Sequence, residues 1–339
     1  MFNNESNAND QSGAQDKLPS LAKLWGKRYV QSLISYSHLL SNRDRNRFSE
    51  VSSLDGRAQT AKKLSDSLKF ASAQAWSKTE SLLSAEVQRH GINPRLIDPW
   101  HIARNSHQLF EKVLEVYHQG HAPQSLATVI GPACGRVRAE IAANDPRILG
   151  FMSMQIHYTG QKLLESLSQA ERVLIEDYFK VLDDHLYMPL QRAYEAAASH
   201  SAQSQSLVAV QALLPQSSSI AQDICQYVIQ KFGSYASLSG VLADETVLIS
   251  SIRDAEMFQI YLCVCTLENS LAAFQEELFP LCLMLYPPLK VEWWLVRSLV
   301  EQLAEQLRLR LSTQPQHINC FRPYLSAMQE LFSAEVIGA

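Results

Sequence analysis

The chain has 339 residues, 46% hydrophobic and 19% charged, with a formal net charge of −4 at pH 7. This is the balance of a globular protein with ample material for a core, which excludes a low-complexity chain. Only 12 glycines argue against a glycine-punctuated β protein or a large α/β enzyme.

Leu, Ala, Gln, Glu and Ser dominate, which favours helix, and no internal repeat aligns. The expected fold class is all-α: a multi-helix bundle with a long buried C-terminal helical hairpin and a disordered N-terminal tail. The expected division is a tail over 1–17, a helical region over 18–200, and a second over 207–339 built on the 254–311 hairpin.

Charge is unevenly spread. Lys17 to Lys69 carries eleven Lys/Arg against four Asp/Glu, whereas the first sixteen residues carry three acids and one large apolar residue. The tail therefore cannot bury enough apolar surface to order itself. Residues 20–40 read as an amphipathic helix with Ser20 as N-cap and Pro19 as a stop before it. Leu21, Trp25, Tyr29, Leu33, Tyr36 and Leu40 form its apolar face, with Lys23, Lys27 and His38 opposite. Such a helix either docks on the body of the protein or lies on a membrane surface. SNRDRNR at 41–47 is a solvated basic loop with too few aromatics for a nucleic-acid site, so no nucleic-acid partner is expected.

A helix over 57–90 should end at Gly91. Asp98-Pro99 should open the next at about Trp100. That helix carries His107, Glu111, Glu115 and His118 on one arc. Its Glu-x-x-His spacing matches half of a di-iron site, but no second copy exists, and a solvated face is expected. IGPACGRVR at 130–138 fits neither phosphate-binding glycine pattern and reads as a turn between helices. Asp145-Pro146 should start a further helix.

Ser168 and Glu171 form a capping box for a helix running to about Ala198. Leu174, Ile175, Tyr178, Leu182, His185 and Leu186 make its apolar face. Asp177, Asp183 and Asp184 should face outward, so Asp183-Asp184-His185 does not converge. Pro189 could distort the helix, because it removes the bond to the His185 carbonyl. SHSAQSQS at 199–206 is the expected boundary. A helix follows over about 220–232, and 233–250, the most strand-like stretch, is expected as loop.

The most apolar stretch is Asp254 to Leu311. At ~100° per residue, residues 256–279 leave one narrow polar stripe: Gln259, Thr266, Ser270, Ala273 and Glu277. A helix so apolar should be enclosed on several sides, yet its acids prevent it from spanning a membrane. Pro280 should kink or end it, and Pro287-Pro288 should turn the chain. The returning helix presents Trp293, Val296, Leu299, Val300, Leu303, Leu307 and Leu311 on one face. Trp294 lies off that face near Arg297, either packed within the chain or facing a partner. A last, shorter helix is expected around Tyr324 to Phe332.

Six cysteines without a CxxC pair are expected as core residues of a reducing, cytoplasmic compartment. No catalytic set converges, and neither a metal nor a cofactor is expected. Interaction candidates are Trp294, Arg297, Trp25, Lys23 and Lys27. Polar-core or pocket candidates are His185, Arg253, Asp254, Glu256 and Glu268.

HYTGQKLLESL, YFKVLDDHLYMPLQRAYEAAA, SSIRDAEMFQIYL and ELFPLCLMLYPPLKVEWWLV together resemble an uncharacterised all-helical family of cyanobacterial proteins. The likeness covers about 145 to 300 and carries no catalytic motif. It implies a cytoplasmic protein of a photosynthetic bacterium, working near thylakoids. The leading expectation is a non-enzymatic adaptor, assembly or regulatory factor with protein partners. The alternatives are a ligand-binding or enzymatic bundle with a polar pocket around His185 and Arg253, and a peripheral membrane protein held by residues 20–40. A second copy of the chain is a further candidate partner.

Overall fold

The computed structural model describes residues 18–30 and 48–333. The tail expected over 1–17 and the loop at 41–47 lie outside these residues, as does the second half of the 20–40 helix. The all-α class is what the chain forms: thirteen α-helices are described, with one two-stranded antiparallel hairpin. Among the described residues, no helix is long and apolar enough to cross a membrane.

The chain forms two compact units. The C-terminal unit comprises the described residues of Met1–Trp25, Met188–Phe279 and Leu289–Ala339; the N-terminal unit comprises those of Gly26–Tyr187 and Pro280–Pro288. In chain order, α1 is Leu18–Gly26, continued by a 3-10 turn over Lys27–Val30. It therefore begins two residues before the expected cap Ser20, and Pro19 sits in its first turn, where a missing N–H costs nothing.

The N-terminal unit is built from α2 (Leu54–Arg89), α3 (Pro99–His118), α4 (Pro123–Asn144), α5 (Leu149–Glu165) and α6 (Gln169–Tyr187). Helix α2 packs along α5 and α3, and α4 packs along α6. Within this unit the caps predicted at Asp98 and Ser168 are in place. Asp98 Oδ1 accepts from the Trp100 and His101 amides at 2.9 and 3.2 Å. At the head of α6, the Ser168 amide donates to Glu171 Oε2 at 2.7 Å, and Ser168 Oγ accepts from the Glu171 amide at 3.4 Å. Gly91, at φ 60°, follows the end of α2, a left-handed position at which glycine carries no Cβ penalty.

Three expectations fail here. The segment 130–138 is not a turn but the middle of α4, which runs unbroken through Pro132. Gly131, Ala133 and Cys134 are buried, whereas Pro132 and Thr128 lie on the exposed side. The carbonyl that loses its bond to Pro132 therefore faces solvent, and packing outweighs the ~3 kcal/mol intrinsic cost of a helical proline. The helix from Ser168 to Ala198 is two helices: α6 stops at Tyr187, and α7 (Leu190–Ala198) starts after Pro189. Buried Arg138 stabilises that stop by donating to the Leu186 carbonyl and, at 3.1 Å, to that of Tyr187, last-turn carbonyls that the helix leaves unbonded. The third failure, the outward placement of Asp177 and Asp184, concerns the site below.

The C-terminal unit contains α7, α8 (Gln205–Leu213), α9 (Ser217–Phe232), β1 (Ala236–Ser237), β2 (Gly240–Val241), α10 (Glu245–Glu268), α12 (Trp293–Arg310) and α13 (Pro315–Leu331). Helix α10 is its axis, with α7, α8, α9, α12 and α13 packed around it. Every residue from Ala255 to Leu267 is buried, so the expected enclosure on several sides is present. Gln259, on the predicted polar stripe, is paired inside through its NH2 group, which donates to the Ser217 and Ala255 carbonyls at 3.1 and 3.2 Å.

The hairpin differs in detail from its sequence pattern. Segment 233–250 is not wholly loop; it holds β1 and β2, and α10 begins at Glu245, nine residues before Asp254. The first arm is not one helix to Pro280. It ends at Asn269, in the left-handed region at φ 51°, which Asn tolerates better than most residues. Ser270 Oγ then accepts from the Ala272 amide at 3.2 Å, and the chain resumes as a π-helical segment over Ala273–Leu278. Pro280 ends nothing: it is the second residue of the short α11 (Phe279–Leu285), which continues directly from the π-helical segment. The last helix, α13, is longer than expected and carries Pro323 inside.

Candidate functional site

In the C-terminal unit, the chain break after α10 creates a charge cluster. Glu268 closes α10, the π-helical segment places Glu277, and α7 supplies Arg192. The guanidinium grips Glu268 through two hydrogen bonds of 2.7 Å each and donates its remaining Nη to Glu277. The Tyr261 hydroxyl stands 3.5 Å from the other Glu277 oxygen. Two neighbours fix the break itself: Tyr324 donates to Asn269 Oδ1 at 2.7 Å, and His200 Nε2 lies 2.7 Å from the Leu267 carbonyl.

Burial works against the charged guanidinium, but hydrogen bonds and charge from Glu268 and Glu277 outweigh it and raise its pKa above the ordinary arginine value. The fork geometry suits Arg and not Lys. The arrangement joins three segments through one cation, and π-helical turns are frequent at functional sites.

Sequence reasoning named Glu268 as a pocket candidate, placed Glu277 only on the polar stripe of the first arm, and missed Arg192. The available signal was a lone arginine in the Ala-rich helix LQRAYEAAA. Replacing Arg192 by Met should leave two facing carboxylates half-buried without their cation. Removing one partner of a fully buried pair costs about 3–5 kcal/mol. Because the Arg192 side chain is 34% exposed, a loss of about 2 kcal/mol is expected. Urea unfolding monitored by circular dichroism checks this, and an unchanged midpoint would count against the latch.

The other pocket candidates do not join this cluster in any hydrogen bond shown. Arg253 and Asp254 are half-buried on α10, and Glu256 is buried one turn from Ile252. His185 belongs to the N-terminal unit and is fully buried, with Nδ1 2.8 Å from the Val181 carbonyl. A carbonyl only accepts, so Nδ1 carries the proton. Burial lowers the His185 pKa to about 4, against smaller opposing contributions from that bond and from Asp184; it is neutral at physiological pH.

Asp184 corrects the wheel reading. It is completely buried, accepting from the Tyr29 hydroxyl at 2.8 Å and from Lys180 Nζ at 3.1 Å. Asp177 is buried as well. A periodicity argument assigns carboxylates to solvent and cannot see a Tyr–Lys pair that neutralises one inside. Asp183 turns to a different histidine: its Oδ2 lies 3.5 Å from His157 Nδ1, and Gln161 Nε2 is 3.0 Å from His157 Nε2.

Among the interaction candidates, Trp25 is 1% exposed and offers no ring to a partner, whereas Lys23 and Lys27 are exposed. Trp294 is half-buried, edge-on to Phe232 and Tyr235 at centroid distances of 4.5 and 5.4 Å. It completes a small cluster with Leu242, Val247 and Leu295. Arg297 is half-buried beside it in sequence.

A tryptophan that does face outward is one the sequence reading passed over. Trp100, in the first turn of α3, is 81% exposed. It lies ~200° around the helix from buried Ile102, which is the sequence signal. Its chain neighbours Asp98 and His101 line a cleft of about 40 Å³, together with Leu96, Asn105, Glu140 and Ile148, among others; Trp100 itself is not part of the lining. Leu96 is itself 38% exposed. His101 Nε2 stands 3.3 Å from Glu140 Oε1. Asn105 is buried, and its Nδ2 has no acceptor among the described residues. The His/Glu face of α3 is solvated at Glu111, Glu115 and His118. Among the described residues, no three His, Cys, Asp or Glu side chains group to hold a metal ion.

Comparisons with protein-family models, with curated proteins and with solved structures found no match.

Proposed function

We propose that the chain is a non-enzymatic interaction protein, an adaptor or assembly factor that receives a partner's segment at the Trp100 cleft. The observation that carries this reading is a tryptophan 81% exposed, next in the chain to His101, which lines a cleft holding a buried, unsatisfied amide. Exposed tryptophans anchor interfaces out of proportion to their number, and a buried polar group without a partner calls for one.

Size favours a macromolecule over a metabolite here. Small-molecule sites enclose ~300–1,000 Å³, whereas this cleft has about 40 Å³, room for the tip of one side chain. Asp98 and Glu140 at its rim favour a basic residue, whose cation would lie over the Trp100 ring while Asn105 donates to a partner carbonyl. The likeness of 145–300 to an all-helical cyanobacterial family adds a setting to this proposal: the cytoplasm of a photosynthetic bacterium, at the thylakoid periphery.

Selecting a random peptide library on the full-length protein tests it. Enriched peptides should pair Lys or Arg with an apolar neighbour, and Trp100→Ala should weaken their binding about 10-fold or more. Peptides that bind the variant equally well, or no enrichment at all, would overturn the reading.

A further inference from the structure

The C-terminal unit holds a groove of its own. A groove of about 290 Å³ is lined by Ala304 and Arg308 of α12 and by Ile318, Arg322, Leu325, Ser326 and Gln329 of α13. The α12 pair is spaced i, i+4, and the α13 residues fall at i, i+4, i+7, i+8 and i+11, so each helix presents one continuous face. Ala304 and Leu325 are buried and form an apolar floor; Arg308, Arg322 and Ser326 are exposed at the rim. The small side chain of Ala304 is what leaves the room.

From this geometry we infer that the groove binds a small amphipathic monoanion: a carboxylate on a compact apolar body. Its volume reaches the lower end of small-molecule sites, ~300 Å³, several times that of the Trp100 cleft. The rim supplies guanidinium donors that match a carboxylate in fork geometry, with a hydroxyl from Ser326 and an amide from Gln329 beside them. The charge balance selects the valence of the ligand. Arg308 already donates to Glu305 at 3.2 Å, whereas Arg322 has no acid partner shown among the described residues. About one positive charge therefore remains uncompensated at the rim, which suits a monoanion better than a dianionic phosphate ester. The apolar floor asks for a body that leaves water on binding.

Titration of the isotope-labelled full-length chain by NMR tests this, with octanoate as the probe, octanol as its uncharged counterpart and inorganic phosphate as the anion without an apolar body. Octanoate should shift the Leu325, Ser326 and Gln329 amides saturably, and neither octanol nor phosphate should reproduce this. Arg322→Gln, at an exposed position, should weaken octanoate binding about 10-fold or more. Arg308→Gln should have a smaller effect, and Ala304→Leu should block the groove. The inference is overturned if octanoate binding is unaltered by Arg322→Gln, if phosphate alone gives the same saturable shifts, or if octanoate shifts nothing in α13.

Discussion

Phe258→Ala is expected to destabilise the C-terminal unit by about 3–5 kcal/mol, the range for deleting a fully buried aromatic ring. Phe258 is 0% exposed in the middle of α10, and its ring stands 5.3 Å from that of Phe332. Phe332 in turn meets Phe279 at 5.6 Å and Trp293 at 6.4 Å, so the vacated volume adjoins rings that cannot collapse into it without leaving one another. Enclosure on every side raises the cost further, since no exposed edge lets the site relax. For a unit of this size, the melting temperature should fall by about 8–15 °C. The double variant with Phe332→Ala should show a coupling of about 1 kcal/mol, the excess typical of an aromatic pair. Urea unfolding followed by tryptophan fluorescence measures both quantities. A loss below about 1 kcal/mol for Phe258→Ala would mean that the ring is not held as described.

The second large effect is of pH, through His185. Its folded pKa is about 4, against 6.5 for an ordinary histidine. Because the folded value is the lower one, the unfolded chain binds more protons between these limits, and stability must rise with pH across them. The contribution is complete above pH 6.5 and is lost as pH falls towards 4. At about 1.4 kcal/mol per pH unit, it amounts to about 3 kcal/mol. Asp145 behaves separately. Hydrogen bonds from Arg147 hold its carboxyl below the usual range, so its share is lost only as pH falls below about 4. His185→Gln should therefore flatten the profile between pH 6.5 and 4 and leave the steeper acid limb in place. Unfolding midpoints taken across that range for the two proteins decide it; parallel profiles would remove His185 as the cause.

These effects rest on features that were unequally legible in the sequence. The burial of α10 could be read directly, because Ala255 to Leu267 leaves almost no polar face. The capping box at Ser168 and the Asp-Pro helix starts could be read too, since a cap is a local device whose partners lie within three residues. What escaped was of two kinds. Local conformations that only packing justifies were missed: Pro132 sits inside α4 because small residues on its buried side hold the helix together, and Asn269 breaks α10 eleven residues before the proline that seemed the obvious stop. Pairings across long separations were missed as well. Arg192 and Glu268 are 76 residues apart, and Tyr29 and Asp184 are 155 apart; no periodicity within one helix reports either. Trp100 was legible in principle, as the residue opposite Ile102, but an outward tryptophan draws no attention on a wheel drawn to find the inward face.

The cysteines carry one more consequence. Cys134, Cys225, Cys263, Cys265 and Cys282 are buried, and only Cys320 is partly open. Burial pushes the Cys134, Cys225 and Cys265 thiols up to about 12, so almost no nucleophilic thiolate exists while the fold is closed. Cys134 and Cys282 belong to the N-terminal unit, and Cys225, Cys263 and Cys265 to the C-terminal one. Alkylation after the first, fast event at Cys320 thus becomes a clock for breathing: each further modified sulfur identifies which half of the molecule had opened, without any label being introduced.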